Sequence, residues 1–202
     1  MRVFLIAPQA DPLEPELAAL GLELTRDDAG AEGLVTVAPR VVLEPLSEQG
    51  SADWLRTFDL WATEPFFAAQ SWLNAAVARG SGSWVAVTST IGTQPFPGGG
   101  APGAGAMALQ TLVRVAALEG GPRGVRANVV APGWSDGTIP RELDAELAVT
   151  DTPLRRLATL GDIAEAVVWL LSERASHVTG EVIRVDGGYT ITRGGRPDPK
   201  QR

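Results

Sequence analysis

Short apolar runs rich in branched residues alternate along the chain with longer stretches in which apolar positions recur every three or four residues. The first pattern predicts buried strands and the second amphipathic helices. Val3 to Ile6, Leu22 to Thr25, Leu34 to Ala38, Trp84 to Thr88, Val125 to Val130 and Val182 to Val185 read as strands. Glu14 to Leu20, stopped by Gly21, reads as the first helix. Ala52 to Arg79 reads as the longest, with Ser51 as its cap and an apolar stripe of Trp54, Leu55, Phe58, Trp61, Trp72, Leu73 and Ala76. Ala101 to Glu119 and Gly161 to Ser172 complete the set. Strands that alternate with helices in this way predict a doubly wound, mostly parallel α/β sheet of about five or six strands flanked by helices.

The chain has 202 residues, 45% of them hydrophobic, which is enough for one sizeable core. Residues 1 to 192 read as one shortened domain. The tail from Arg193 to Arg202, rich in glycine, proline and charge, is expected to be mobile. A net charge of −7 lacks the basic footprint that nucleic acid or an anionic membrane requires. No run approaches the roughly 20 apolar residues of a membrane helix, and Pro8 and Asp11 interrupt the N-terminal apolar run, so a cytoplasmic protein is expected. With no cysteine there is no thiolate chemistry, and one histidine, His177, makes a transition-metal site implausible.

Several motifs stand in a recognisable order. Ser89-Thr90-Ile91-Gly92 follows a strand, then come Phe96-Pro97-Gly98 and, further on, Gly124-Val125-Arg126-Ala127-Asn128-Val129-Val130-Ala131-Pro132-Gly133-Trp134. Thr152-Pro153-Leu154-Arg155-Arg156, Gly161-Asp162-Ile163-Ala164 and Val178-Thr179-Gly180-Glu181 through Gly187-Gly188 close the series. Taken together, from Gly33 to Ile191, they resemble the short-chain dehydrogenase/reductase family. That resemblance implies a Rossmann-type fold and nicotinamide-dependent chemistry on a Ser, Tyr, Lys and Asn set.

Each functional motif departs from the family's pattern. The tyrosine and lysine that should follow Ser89 fall at Pro102 and Ala106, and the helix asparagine falls at Trp61. Without a tyrosine whose pKa a lysine lowers, a carbonyl oxygen has no proton donor. The first turn, Ala7-Pro8-Gln9-Ala10-Asp11-Pro12, lacks the glycines that let a backbone approach a pyrophosphate, and Asp11 puts a negative charge there. About 30 residues separate the first strand from Gly33, where the family uses roughly 80, so at least one βαβ unit of ~30 residues is missing. The threonine expected after Pro132-Gly133 is displaced to Ser135 or Thr138.

Ser89 is then the only retained catalytic position. With no base beside it in sequence, it reads as a strand-end cap rather than a nucleophile. His177 reads as structural, Gly187-Gly188 as a backbone turn, and Gly98-Gly99-Gly100 as a flexible lead into a helix. Asp53 and Asp59 read as solvated, and most tryptophans as core or interface, with Trp61 and Trp134 the candidates for lining a ligand pocket.

The resemblance implies three roles. The first is a noncatalytic subunit that joins an active short-chain dehydrogenase in a hetero-oligomer such as a heterotetramer. It would join through helices 52 to 79 and 101 to 119 and the C-terminal strand. NAD or NADP would sit in the partner and none in this chain, and the substrate would be a hydroxyacyl-CoA, a ketoacyl-CoA or a similar alcohol or ketone. Arg193, Arg196, Lys200 and Arg202 of the tail could then reach the partner's site. The second is a stand-alone NAD(P)-dependent oxidoreductase. The third is a homo-oligomeric binder, or an enzyme of lyase type like the halohydrin dehalogenases, using a vacated pocket near Ser89, Trp61 and Trp134.

Overall fold

A computed structural model describes residues 1–7, 11–136, 139–140 and 145–192. All six strands expected from the sequence form: β1 (Arg2–Ile6), β2 (Glu23–Thr25), β3 (Gly33–Val37), β4 (Gly82–Val87), β5 (Val125–Pro132) and β6 (Val182–Val185). They make one sheet in the order β2-β1-β3-β4-β5-β6, with every pairing parallel. The fold is a Rossmann-like doubly wound α/β sheet. In the common dinucleotide-binding order two strands lie outside the first. Here only β2 does, and it is three residues long.

Strands buried on both faces need apolar side chains on both, and β3 is buried throughout. On one face α3 (Glu64–Arg79) and α4 (Gly100–Gly120) bring Trp72, Leu109 and Val113 onto Trp84 and Val129. On the other, α1 (Leu13–Ala19) and α6 (Leu160–Leu171) bring Leu17, Val167 and Leu170 onto Val35 and Val85. Each such buried side chain contributes about 1.5–3 kcal/mol. Between β5 and α6 lies a further short helix, α5 (Ala145–Asp151), in a stretch for which the sequence pattern predicts no element. The tail from Arg193 to Arg202 lies outside the described residues, as do Pro8 and Thr138.

The long helix differs from its expected form. It is divided into α2 (Ser51–Phe58), a π turn at Asp59–Thr63, and α3. The cause is Pro65, which has no N–H for the Trp61 carbonyl four residues back and whose ring would collide with it. The backbone widens, and the Glu64 amide donates to Asp59, five residues back. Ser51 makes no side-chain cap; Gly50 occupies the capping position. Nor is the N-terminal part of the stripe core, because α2 has no buried residue and Trp54 and Leu55 are exposed. The lead into α4 is pinned, too: the Gly98 carbonyl accepts from the Glu44 amide at 2.9 Å.

Candidate functional site

The carboxyl ends of β1, β3, β4 and β5 surround a crevice of about 90 Å³ beside the point where the strand order reverses. In open α/β sheets this is where ligands bind. Asp11 follows β1, Arg40 follows β3, Thr88 and Ser89 follow β4, and Trp134 and Ser135 follow β5, while the π turn supplies Trp61. The remaining walls are aliphatic or proline, from Leu13, Val37, Val87, Pro132 and Ile163.

Ser89 has an extended backbone, and its Oγ accepts from the Ile91 amide at 3.2 Å, capping the short 3-10 turn Thr90–Gly92. The expected strand-end cap is thus present. Trp61, Ile91 and Ala106 form a small apolar cluster, with Leu43 and Phe96 packed against it. Pro102 is buried in the first turn of α4, where its missing N–H breaks no helical bond. Positions 61, 102 and 106 therefore hold packed hydrocarbon and an indole, with no titratable group among them.

At the head of α1 the Asp11 Oδ1 accepts from the Leu13 amide at 2.9 Å. Burial, with the nearby Glu14 charge adding to it, raises the Asp11 pKa despite that bond and the Arg40 and Arg26 charges. A pyrophosphate at this turn would meet a carboxylate where it needs free N–H donors. The residues described do not fit a dinucleotide in the usual pose.

A family model described as Enoyl-(Acyl carrier protein) reductase matches residues 23–190. The chain belongs to the short-chain dehydrogenase/reductase family. It is 34% identical to a cis-4-hydroxycyclohexanecarboxylate dehydrogenase of Sinomonas cyclohexanicum over 72% of this chain and 60% of that protein. It is 35% identical to the inactive 2-(S)-hydroxypropyl-CoM dehydrogenase 2 of Xanthobacter autotrophicus, over 68% of this chain and 64% of the other. A crystal structure assigned as a betaketoacyl-ACP reductase superposes with a TM-score of 0.80 at 28% identity, over 94% of this chain and 98% of that one. The chain thus spans less than two thirds of the length of either dehydrogenase.

Within this short-chain dehydrogenase/reductase domain, the positions read from sequence are brought together unevenly. Ser89, Trp61, Trp134 and Ser135 meet at the crevice. Trp134 lies edge-on to Phe96 at 5.6 Å and to Tyr189 at 5.9 Å, which closes one side. His177, Asp53 and Asp59 are exposed and lie elsewhere, and no group of three or more His, Cys, Asp or Glu among the described residues could hold a metal. Gly187 and Gly188 adopt φ of 59° and 88° and form a backbone turn. Asp186 anchors it: burial would raise its pKa, but bonds from the Thr190 hydroxyl and amide and the Gly188 amide, with Arg184 nearby, lower it.

Three crevice or rim residues escaped the sequence reading: Arg40, Thr88 and Tyr189. Thr88 carried a signal, since it directly follows the apolar run Trp84 to Val87. Arg40 and Tyr189 carried none, because their loops are placed only by the fold.

Proposed function

We propose that this chain is a noncatalytic subunit that assembles with an active short-chain dehydrogenase/reductase. The observation that carries this reading is the filled proton-relay position, where Trp61, Ile91 and Ala106 pack against one another. Hydride transfer to a carbonyl needs a proton donor at its oxygen, and Ser89, already engaged as a cap, has no base to activate it. Nicotinamide would be bound by the partner, since Asp11 opposes its pyrophosphate here.

The assembly half of the proposal rests on exposed apolar side chains. Trp54, Leu55, Phe66, Phe67, Val115 and Leu118 are all exposed on α2, α3 and α4, with Leu118 at 77%. Apolar groups gathered on adjoining helices mark a surface for association. The Xanthobacter relative, itself described as inactive, is a precedent for a family member kept without turnover. No helix among the described residues is long and apolar enough to cross a membrane, and a cytoplasmic assembly is part of the proposal.

The test is co-expression with the short-chain dehydrogenase encoded nearest to this chain, followed by native mass spectrometry. A mixed oligomer is expected, lost on Leu118→Glu with Val115→Glu. Its turnover should survive Ser89→Ala in this chain and vanish when the partner's tyrosine is removed. A stable homo-oligomer that binds NADH at micromolar affinity and reduces a carbonyl would refute it.

A further inference from the structure

A second hollow, of about 400 Å³, adjoins the crevice across Pro39, Arg40 and Trp61 and opens between the loop after β3 and α2. That volume lies within the range of ligand pockets, about 300–1,000 Å³. Its helical wall has an inverted polarity. Asp53, Arg56, Thr57 and Leu60 line it, and steps of three, four and seven residues mark one face of a helix. A helix that packs on a protein normally turns its apolar face inward. Here two charges and a hydroxyl line the hollow, while Trp54 and Leu55 are exposed and α2 has no buried residue. The π turn extends the wall with Leu60 and Trp61, and such turns recur at functional sites.

The facing wall, the loop after β3, supplies Arg40 and Glu44. It is held in place, since the Glu44 amide donates to the Gly98 carbonyl at 2.9 Å and the Gln49 amide to the Pro45 carbonyl at 3.1 Å. Each wall thus carries one cation and one carboxylate. The ion pairs of the described residues are Arg26–Glu14 and Arg156–Asp162, and none of these four groups takes part in them. Glu44 accepts from the Gln49 side chain at 3.4 Å, whereas Arg40, Asp53 and Arg56 make no side-chain hydrogen bond among the described residues. All three are exposed, so a molecule in the hollow can reach them.

We propose that this hollow binds an α-amino acid with a large apolar side chain, its ammonium at Asp53 and its carboxylate at Arg56. The two residues stand one turn apart, with Cβ atoms about 5–6 Å from each other. They offer opposite charges side by side, as a head group with both charges on one carbon requires, and a guanidinium presents paired N–H donors to a carboxylate. The charge of the lining selects in the same direction. Two arginines and two carboxylates cancel, so a molecule with a single charge is opposed by one group of each wall as much as it is attracted by the other. Val42, Leu43 and Leu60 give the apolar body its contacts. A cavity of about 150 Å³ holds benzene, so 400 Å³ takes a ring and its charged head group together. The site rests on this hollow and not on the assembly proposed above, and it requires no turnover.

The full-length chain is titrated by calorimetry with L-phenylalanine and L-leucine, and with phenethylamine and 3-phenylpropionate, which keep the body and one charge each. Saturable binding of at least one amino acid is expected, with the single-charge analogues at least about tenfold weaker, the scale of one charge-assisted hydrogen bond. Asp53→Asn and Arg56→Gln should each weaken the amino acid about tenfold, and Arg56→Lys should weaken it less. Asp59→Asn, close by but outside the lining, should leave it unchanged. All three positions are exposed, so the variants should fold as the parent does. With no buried residue of its own, α2 should exchange its amide hydrogens readily when free and more slowly when the amino acid is bound. No saturable binding, single-charge analogues that bind as well, Asp53→Asn and Arg56→Gln that bind as the parent does, an equal loss with Asp59→Asn, or unchanged exchange in α2 would each overturn the proposal. A mixed oligomer that forms while no amino acid binds would remove this site and leave the assembly standing.

Discussion

Gly105 lies so close beneath Trp61 that a Cβ at position 105 would fall 2.6 Å from the Trp61 Cβ. The indole and the missing side chain are complementary, so the filled relay position depends on both.

Gly105→Ala should therefore destabilise the chain although alanine is the better helix former by ~1 kcal/mol. Real Cβ contacts are never so short, and overpacking of this kind costs about 1–3 kcal/mol. Urea unfolding followed by circular dichroism would measure it. A variant as stable as the parent would mean that α4 and the π turn can move apart at this contact, since the Trp61 Cβ is fixed to its backbone.

Gln110 is fully buried on α4, and both its amide atoms are without partners among the described residues. Each buried orphan costs about 1–3 kcal/mol, whereas an apolar side chain of similar volume costs nothing of the kind. Gln110→Met should raise stability by about 1–2 kcal/mol and raise the melting temperature by several degrees. A lower melting temperature would show that the amide has a partner in solution.

Asp11 should make the chain less stable as pH rises. Its folded pKa is raised above the usual carboxylate value, chiefly by burial. The folded state therefore holds its proton more tightly than the unfolded chain does, and stability falls as pH climbs from about 4 through the raised folded value. Asp11→Asn keeps an acceptor for the Leu13 amide and removes the charge. Its stability relative to the parent should increase across that window and then level off, as parallel urea titrations at pH 3.5 and pH 7 would show.

Asp162 should behave in the opposite sense. Its carboxylate takes two bonds from Arg156, at 2.6 and 3.0 Å, and closes a capping box with Thr159 at the head of α6. The Arg156 bonds first, then the Thr159 amide, hold its pKa well below 3.8. That contribution is present above pH ~4 and is lost as pH falls toward the depressed folded value. Asp162→Ala should cost about 1 kcal/mol at pH 7, the usual scale for a cap, and the gap from the parent should narrow below pH 4.

Much of this was legible in the chain because it depends on local pattern. Six branched apolar runs became six strands, and the losses at Pro102, Ala106 and Asp11 could be read from motif spacing alone. What spacing cannot carry is the surrounding packing. Trp61 is visible in sequence as a substitution, but the space made for it by Gly105 is not. Arg40 and Tyr189 reach the crevice and its rim from loops whose course is set by distant strands. Thr88 is an unremarkable threonine until the sheet closes around its hydroxyl. Asp162 was legible as part of a motif, whereas its two bonds to Arg156 depend on how the preceding loop turns.

The π turn at Asp59–Thr63 bears on why one helical stripe was expected and two were found. A turn that holds one extra residue advances the helix by about 100°, since each residue of an α-helix occupies that angle. Side chains before and after it are out of phase. Upstream, Trp54 and Leu55 are directed to the outside, and downstream, Ala69, Trp72 and Ala76 are directed to the sheet. Pro65 thus acts as a phase shifter. It lets one uninterrupted rod of backbone keep the apolar side chains of α2 at the surface while α3 turns Ala69, Trp72 and Ala76 onto the sheet and leaves Phe66 and Phe67 outside. Deleting a single residue from that turn would bring the halves back into step and rotate one set of aromatics to the wrong side.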